Sequence, residues 1–170
     1  GVTGVSSYPA TLPLISYTGS AAPNFSLVLP SGLYGFLVNN TANSTIDAII
    51  TTNPPASLTW NGNVNGNWDT STANWQGGLV FANGDQATFD DSASGSAAVT
   101  VVGTVLPGTG GVLVNNTNKN YSFSGGTIGG TALLTKQGPG SLTMNASSAL
   151  ALNLNQGTVT GSGAIGATTV

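Results

Sequence analysis

Every acidic side chain in this sequence is an aspartate: Asp47, Asp69, Asp85, Asp90 and Asp91. Three of them, Asp85, Asp90 and Asp91, cluster beside the Asn83-Gly84 turn. A hard cation takes carboxylate and carbonyl oxygens, so this trio is a candidate calcium site. It has neither the spacing of an EF-hand nor that of a glycine-rich calcium repeat. The preferred reading is therefore structural, with an Asx-type turn at Asp85 and a solvated strand end at Asp90-Asp91. Two carboxylates would suffice for glycoside hydrolysis. The chain has no Glu, Arg or His to tune and position such a pair, so no enzymatic activity is expected.

Three tryptophans, Trp60, Trp68 and Trp75, are interleaved with asparagines. Aromatic faces flanked by amides could stack on sugar rings, which makes the trio a candidate glycan platform. Packing at the end of a β stack is the preferred alternative, because such an end otherwise exposes apolar surface. Residues 161–166 satisfy G-x-G-x-x-G, but a dinucleotide site needs a following helix and a downstream acid, so a chain corner is expected. Lys119 and Lys136 are too few to form a basic patch, and Lys136 is expected to cap or solvate a turn. N-x-Ser/Thr triplets begin at Asn24, Asn39, Asn43, Asn115, Asn120 and Asn145, which are candidate glycosylation sites if the source modifies secreted proteins.

The residue types that are missing remove whole classes of function. His and Cys are absent, which excludes disulfides, ordinary zinc sites, haem and iron–sulfur ligation, and nucleophile–histidine catalysis. Calcium aside, no cofactor is expected. Two lysines at a net charge of -3 cannot neutralise a phosphate backbone, so nucleic acid is not an expected partner. No apolar run of about 18 residues could span a bilayer as a helix. The chain begins at Gly1 without a signal-peptide pattern, which suggests a mature or excised segment.

Elements that could hold these residues are short and extended. Charged side chains are only 4% of the 170 residues, and Ser, Thr and Asn take their place at about a third of the chain. Hydrophobic residues at 39% argue against disorder. Strong helix formers are scarce, and Gly or Pro interrupts nearly every ten-residue window. Strands are predicted at 12–17, 25–29, 35–38, 45–51, 87–89, 98–102, 111–114, 121–124, 132–135, 141–144, 149–154 and 158–160. The fold class is all-β. A parallel β-helix or β-solenoid is favoured, with a β-sandwich as the alternative, because short strands, Gly corners and an uncharged surface suit stacked coils. Three segments differ in texture: 1–57, 58–96 (rich in Trp, Asn and Asp) and 97–170, where coils are most expected, although all three could form one continuous domain. Residues 35–41 echo 111–117 (Gly-x-Leu-Val-Asn-Asn-Thr), which fits coils that reuse a corner.

Leu134-Thr135-Lys136-Gln137-Gly138-Pro139-Gly140-Ser141-Leu142-Thr143-Met144 resembles the core motif of the autotransporter-associated β-strand repeat, L-T-K-x-G-x-G-T-L-T-L. Thr59-Trp60-Asn61-Gly62, Gly66-Asn67-Trp68-Asp69, Ala73-Asn74-Trp75 and residues 84–91 are similar to the opening of modules that carry these repeats. Tyr8-Pro9, residues 12–17 and residues 37–47 look like the closing part of such a module. On that resemblance, residues 1–57 close one module, 58–96 open the next, and 97–170 form solenoid coils. The resemblance implies a large secreted or surface-displayed bacterial protein with a β-helical passenger and, as for most members, no known enzymatic activity. Only one copy of the core motif is present in these 170 residues.

These features together predict an extracellular or bacterial cell-surface structural protein that assembles end to end, copy on copy, into a filament or surface fibre. Both ends of the chain, including residues 167–170, are uncharged and strand-prone, and little like-charge repulsion would keep copies apart. The alternative is a cell-surface carbohydrate-binding or adhesin module whose partner is a glycan held by Trp60, Trp68 and Trp75.

Overall fold

The computed structural model describes residues 5–19, 26–166 and 168–169, the last pair by backbone alone. Asn24, Phe25, Ala167 and Val170 lie outside the described residues. The chain divides into two compact units between Pro55 and Ala56.

The first unit is an antiparallel sheet of three strands in the order β1-β3-β2, where β1 is Ala10–Ser16, β2 is Tyr34–Asn40 and β3 is Thr45–Thr51. The β-branched run of β3 takes the central place, with Ile46, Ala48 and Ile50 buried on one face. Asp47 is buried on the other face, where its carboxylate accepts hydrogen bonds from Asn40 Nδ2 (2.8 Å) and Thr45 Oγ1 (2.7 Å). No strand forms at Ser26–Leu29, contrary to the sequence expectation. The echoed heptapeptides also part company. Residues 35–41 run through antiparallel β2, whereas residues 111–117 follow a left-handed Gly111 (φ 71) into a parallel strand.

The second unit is a parallel β-solenoid. Its successive strands alternate between two sheets. One sheet holds β4 (Ser57–Thr59), β6 (Gln86–Asp90), β8 (Val112–Asn115), β10 (Leu133–Gln137), β13 (Ala151–Leu154) and β15 (Thr168–Thr169), stacked in that order. The other holds β5 (Asn67–Trp68), β7 (Ala98–Val105), β9 (Tyr121–Ile128), β11 (Ser141–Met144) and β14 (Thr158–Thr160), with β12 (Ser147–Ser148) pairing alongside β9. The Trp-rich segment thus contributes coils to the same stack as the later strands. The only helical turn among the described residues is the 3-10 turn Gln76–Gly78.

The coils shrink along the chain. In the first sheet the stacked residues Leu58, Ala87, Val112, Leu134, Leu152 and Thr168 are separated by 29, 25, 22, 18 and 16 residues. The second sheet tapers in the same direction: Trp68 stacks on Val101 after 33 residues, Val99 on Phe123 after 24, Phe123 on Met144 after 21, and Leu142 on Val159 after 17. A longer coil encloses a wider interior, and close packing demands larger side chains to fill it. Accordingly Trp60, Trp68, Trp75, Phe81 and Phe89 fill the wide end, whereas Leu134, Leu142, Met144 and Leu150 suffice further along. The alternation of buried and outward residues is strict in β6, β10 and β11, as a half-buried strand requires.

Candidate functional site

Each candidate carboxylate is engaged with the backbone that surrounds it. Asp85, nearly buried, accepts hydrogen bonds from Ala56 N and Ala82 N, both at 2.8 Å, and so ties the start of the solenoid to its own turn. Asp90 caps the loop that follows it through Ser92 N (2.9 Å), and its backbone carbonyl accepts the Tyr121 hydroxyl at 2.6 Å. Asp91 reaches the next coil, where its two oxygens accept Thr117 N (2.9 Å), Asn118 N (3.0 Å) and Lys119 N (2.8 Å). The Lys119 amide bond, followed by the other two amides, holds the Asp91 carboxyl below its ordinary range. Asp69 is pushed up by partial burial but lowered on balance by hydrogen bonds from Ser71 and Thr72. Among the described residues no group of three or more acidic, His or Cys side chains is arranged to hold a metal. The trio at 85, 90 and 91 serves three different turns.

The tryptophans are sealed inside. Trp60, Trp68 and Trp75 are each 0% exposed, so none offers a ring face on which a sugar could stack. Trp60 meets Trp75 edge to face at 5.3 Å, Trp68 meets Phe81 edge to face at 5.4 Å, and Phe89 lies 5.2 Å from Trp68 and 4.7 Å from Phe123. Such offset and perpendicular contacts suit the ring quadrupoles. The indole N–H of Trp60 donates to Ser96 O at 2.8 Å, whereas those of Trp68 and Trp75 have no partner.

Lys136 does not lie in solvent. It is 0% exposed and occupies the inward column Phe89–Val114–Lys136–Leu154. Its ammonium caps the following turn from within, donating to the carbonyls of Gln137 and Gly138 at 2.7 Å and of Gln156 at 3.4 Å. Desolvation lowers its pKa from the ordinary lysine value. Burial also raises that of the Tyr121 phenol, with the charges of Asp90 and Asp91 adding to it.

Of the N-x-Ser/Thr positions, Asn43, Asn115, Asn120 and Asn145 are exposed, and Asn39 is half-buried and accepts the Tyr17 hydroxyl at 2.7 Å. Two of these asparagines belong to a pattern that sequence reasoning missed. Side-chain oxygens of Asn61, Asn83, Asn120 and Asn145 accept backbone N–H groups of Ser94, Leu106, Ser141 and Ser162, each one coil further on. Asn74, fully buried, organises its own loop by accepting Val64 N and Asn65 N and donating to Asn67 O. Loop backbone that lacks a ladder partner must find one elsewhere, and these amides supply it without charge. The sequence signal was the recurrence of Asn at corners, legible only once coil register is known. Residues 161–166 form an irregular corner with no helix, as expected of them.

A scan against protein-family models, a search of the curated proteins and a search of the solved structures each returned no match to this chain.

Proposed function

We propose that this chain is a non-enzymatic extracellular structural protein whose coil stack extends end to end, copy on copy, into a filament or surface fibre. The observation that carries this reading is the uncharged strand edge. Among the described residues β14, of sequence Thr158-Val159-Thr160, pairs with β11 on one side and with no strand on the other. Such an edge templates addition of a further strand unless charge, proline or a covering loop prevents it, and β14 carries neither charge nor proline. Pairing through backbone groups does not require the joined coils to be of equal length. Contacts between unlike ends that do not close generate filaments. The carboxylates support a structural role, because Asp85, Asp90 and Asp91 each brace a turn. The extracellular placement rests on the resemblance of residues 134–144 and of the Trp-rich segment to autotransporter-associated repeats.

Sedimentation velocity over a concentration series tests the proposal. Species heavier than the 16.7 kDa chain should appear and grow as concentration rises. A single species of monomer mass at every concentration would contradict it.

A further inference from the structure

The two sheets of the solenoid differ on their outer faces. The sheet containing β4, β6, β8 and β10 also turns outward hydroxyls, at Ser57, Thr59, Thr88 and Thr135, but interrupts them with Gln86, Asp90, Leu113, Leu133 and Gln137. The sheet containing β5, β7, β9, β11 and β14 has no charged residue in any strand. Its outward positions are mostly Ser and Thr, and parallel register stacks them: Ser122–Thr143–Thr160 form one column and Ser141–Thr158 the next. Thr100–Ser124 continue the array on the other side.

These hydroxyls are also uncommitted. Ser71, Thr72, Ser92 and Ser94, in the loops, all hydrogen-bond to neighbouring side chains. Among the described residues of the sheet face only Ser124 makes an internal side-chain bond, a long one of 3.5 Å to Val99 O. Neighbouring strands lie about 4.8 Å apart and alternate residues roughly 6.7 Å apart along a strand. The face is thus a grid of short donor–acceptor groups on a rigid support, with spacings on the scale of the oxygen repeats in ice.

We propose that the outer face of the sheet β5-β7-β9-β11-β14 binds ice, by ordering a layer of water that joins the crystal lattice. Four features favour this occupant over a glycan. The aromatic rings that would stack on sugars are enclosed: Trp60, Trp68, Trp75, Tyr121 and Phe123 are buried. β-Branched threonine has few χ1 rotamers, so holding water in fixed positions costs it little entropy. Charged groups, which would impose their own hydration shells, are missing from this sheet. Threonine methyls interleaved with hydroxyls leave the water between them fewer competing arrangements.

The full chain is tested by partitioning into slowly growing ice and by the gap between its freezing and melting points. The wild-type protein should enter the ice and open a freezing gap. Thr143→Lys, in the middle of the face, should abolish both. Thr88→Lys, on the outward side of the opposite sheet, should leave both intact. Thermal melting of each variant separates loss of the face from loss of the fold. Exclusion of the wild-type protein from ice would overturn the proposal. Equal ice uptake by a folded Thr143→Lys variant, or loss with a folded Thr88→Lys variant, would do so too.

Discussion

Lys136 is the residue whose environment departs most from its usual one. Its ammonium is buried, its partners are neutral carbonyls, and its pKa is lowered. Between that lowered value and the ordinary 10.5 the unfolded chain binds the extra proton, so stability contributed by this group rises with pH. Tyr121 acts oppositely but only above 10.0, where the unfolded phenol ionises first and the folded one resists. Urea unfolding as a function of pH should therefore show a rise on the alkaline side that Lys136→Met abolishes. The same variant should lose about 1–3 kcal/mol near neutrality, because the Gly138 carbonyl loses its charged donor and the Gln137 carbonyl keeps only the Asn116 amide. On the acid side the slope has the same sign, for different groups. Asp69 and Asp91 have lowered pKa values, so their contribution is present above 3.8 and disappears as pH falls through the folded values. Asp91→Ala should expose the amides of residues 117–119 to hydrogen exchange while leaving Trp fluorescence unchanged.

At the level of strands and turns, the glycine corners set where each coil can bend. Gly111 has φ 71, and a Cβ there would lie 2.3 Å from Leu133 O in the adjacent coil. Gly138 has φ 74 and would bring a Cβ within 2.4 Å of Asn116 O. Left-handed geometry alone costs a side chain about 1–3 kcal/mol, and the backbone collision adds to it. Gly111→Ala should lower the melting temperature by several degrees or prevent folding, whereas Ala at Gly78, which has φ 71 but nothing within 4 Å, should cost only the conformational term. These elements were largely legible in the sequence. Period-two runs such as 141–144, punctuated by Gly, announced β-strands, and uncharged Ser, Thr and Asn announced a stack of coils. Register was not legible, because coils that shorten from 29 to 16 residues leave no fixed period to detect. For the same reason the repeated heptapeptide misled: identical residues at 37–41 and 113–117 took antiparallel and parallel partners, since neighbours and not the segment decide pairing. The sequence reading of Lys136, as a residue that caps or solvates a turn, did not reach its burial, because charge usually lies outside and the Gln156 carbonyl becomes adjacent only after the corners close.

The whole solenoid is a tapered stack whose aromatic end and aliphatic end differ in kind. Trp60, Trp68 and Trp75 share one dry cluster, so native emission should lie at short wavelength and resist quenching by acrylamide. Stability in coil stacks passes between neighbours, so amide protection should be greatest around the aromatic coils and fall towards β14. Uniform protection from Leu58 to Val159 would argue against that gradient. The sparsely charged surface and the turn-bracing carboxylates support the proposal that copies cohere by backbone pairing along the stacking axis. X-ray diffraction from aligned native fibres tests this most directly. The account predicts a strong reflection at about 4.8 Å along the fibre axis, from coils stacked in that direction. Protein that yields no fibres, or fibres with that spacing directed across their axis, would contradict it.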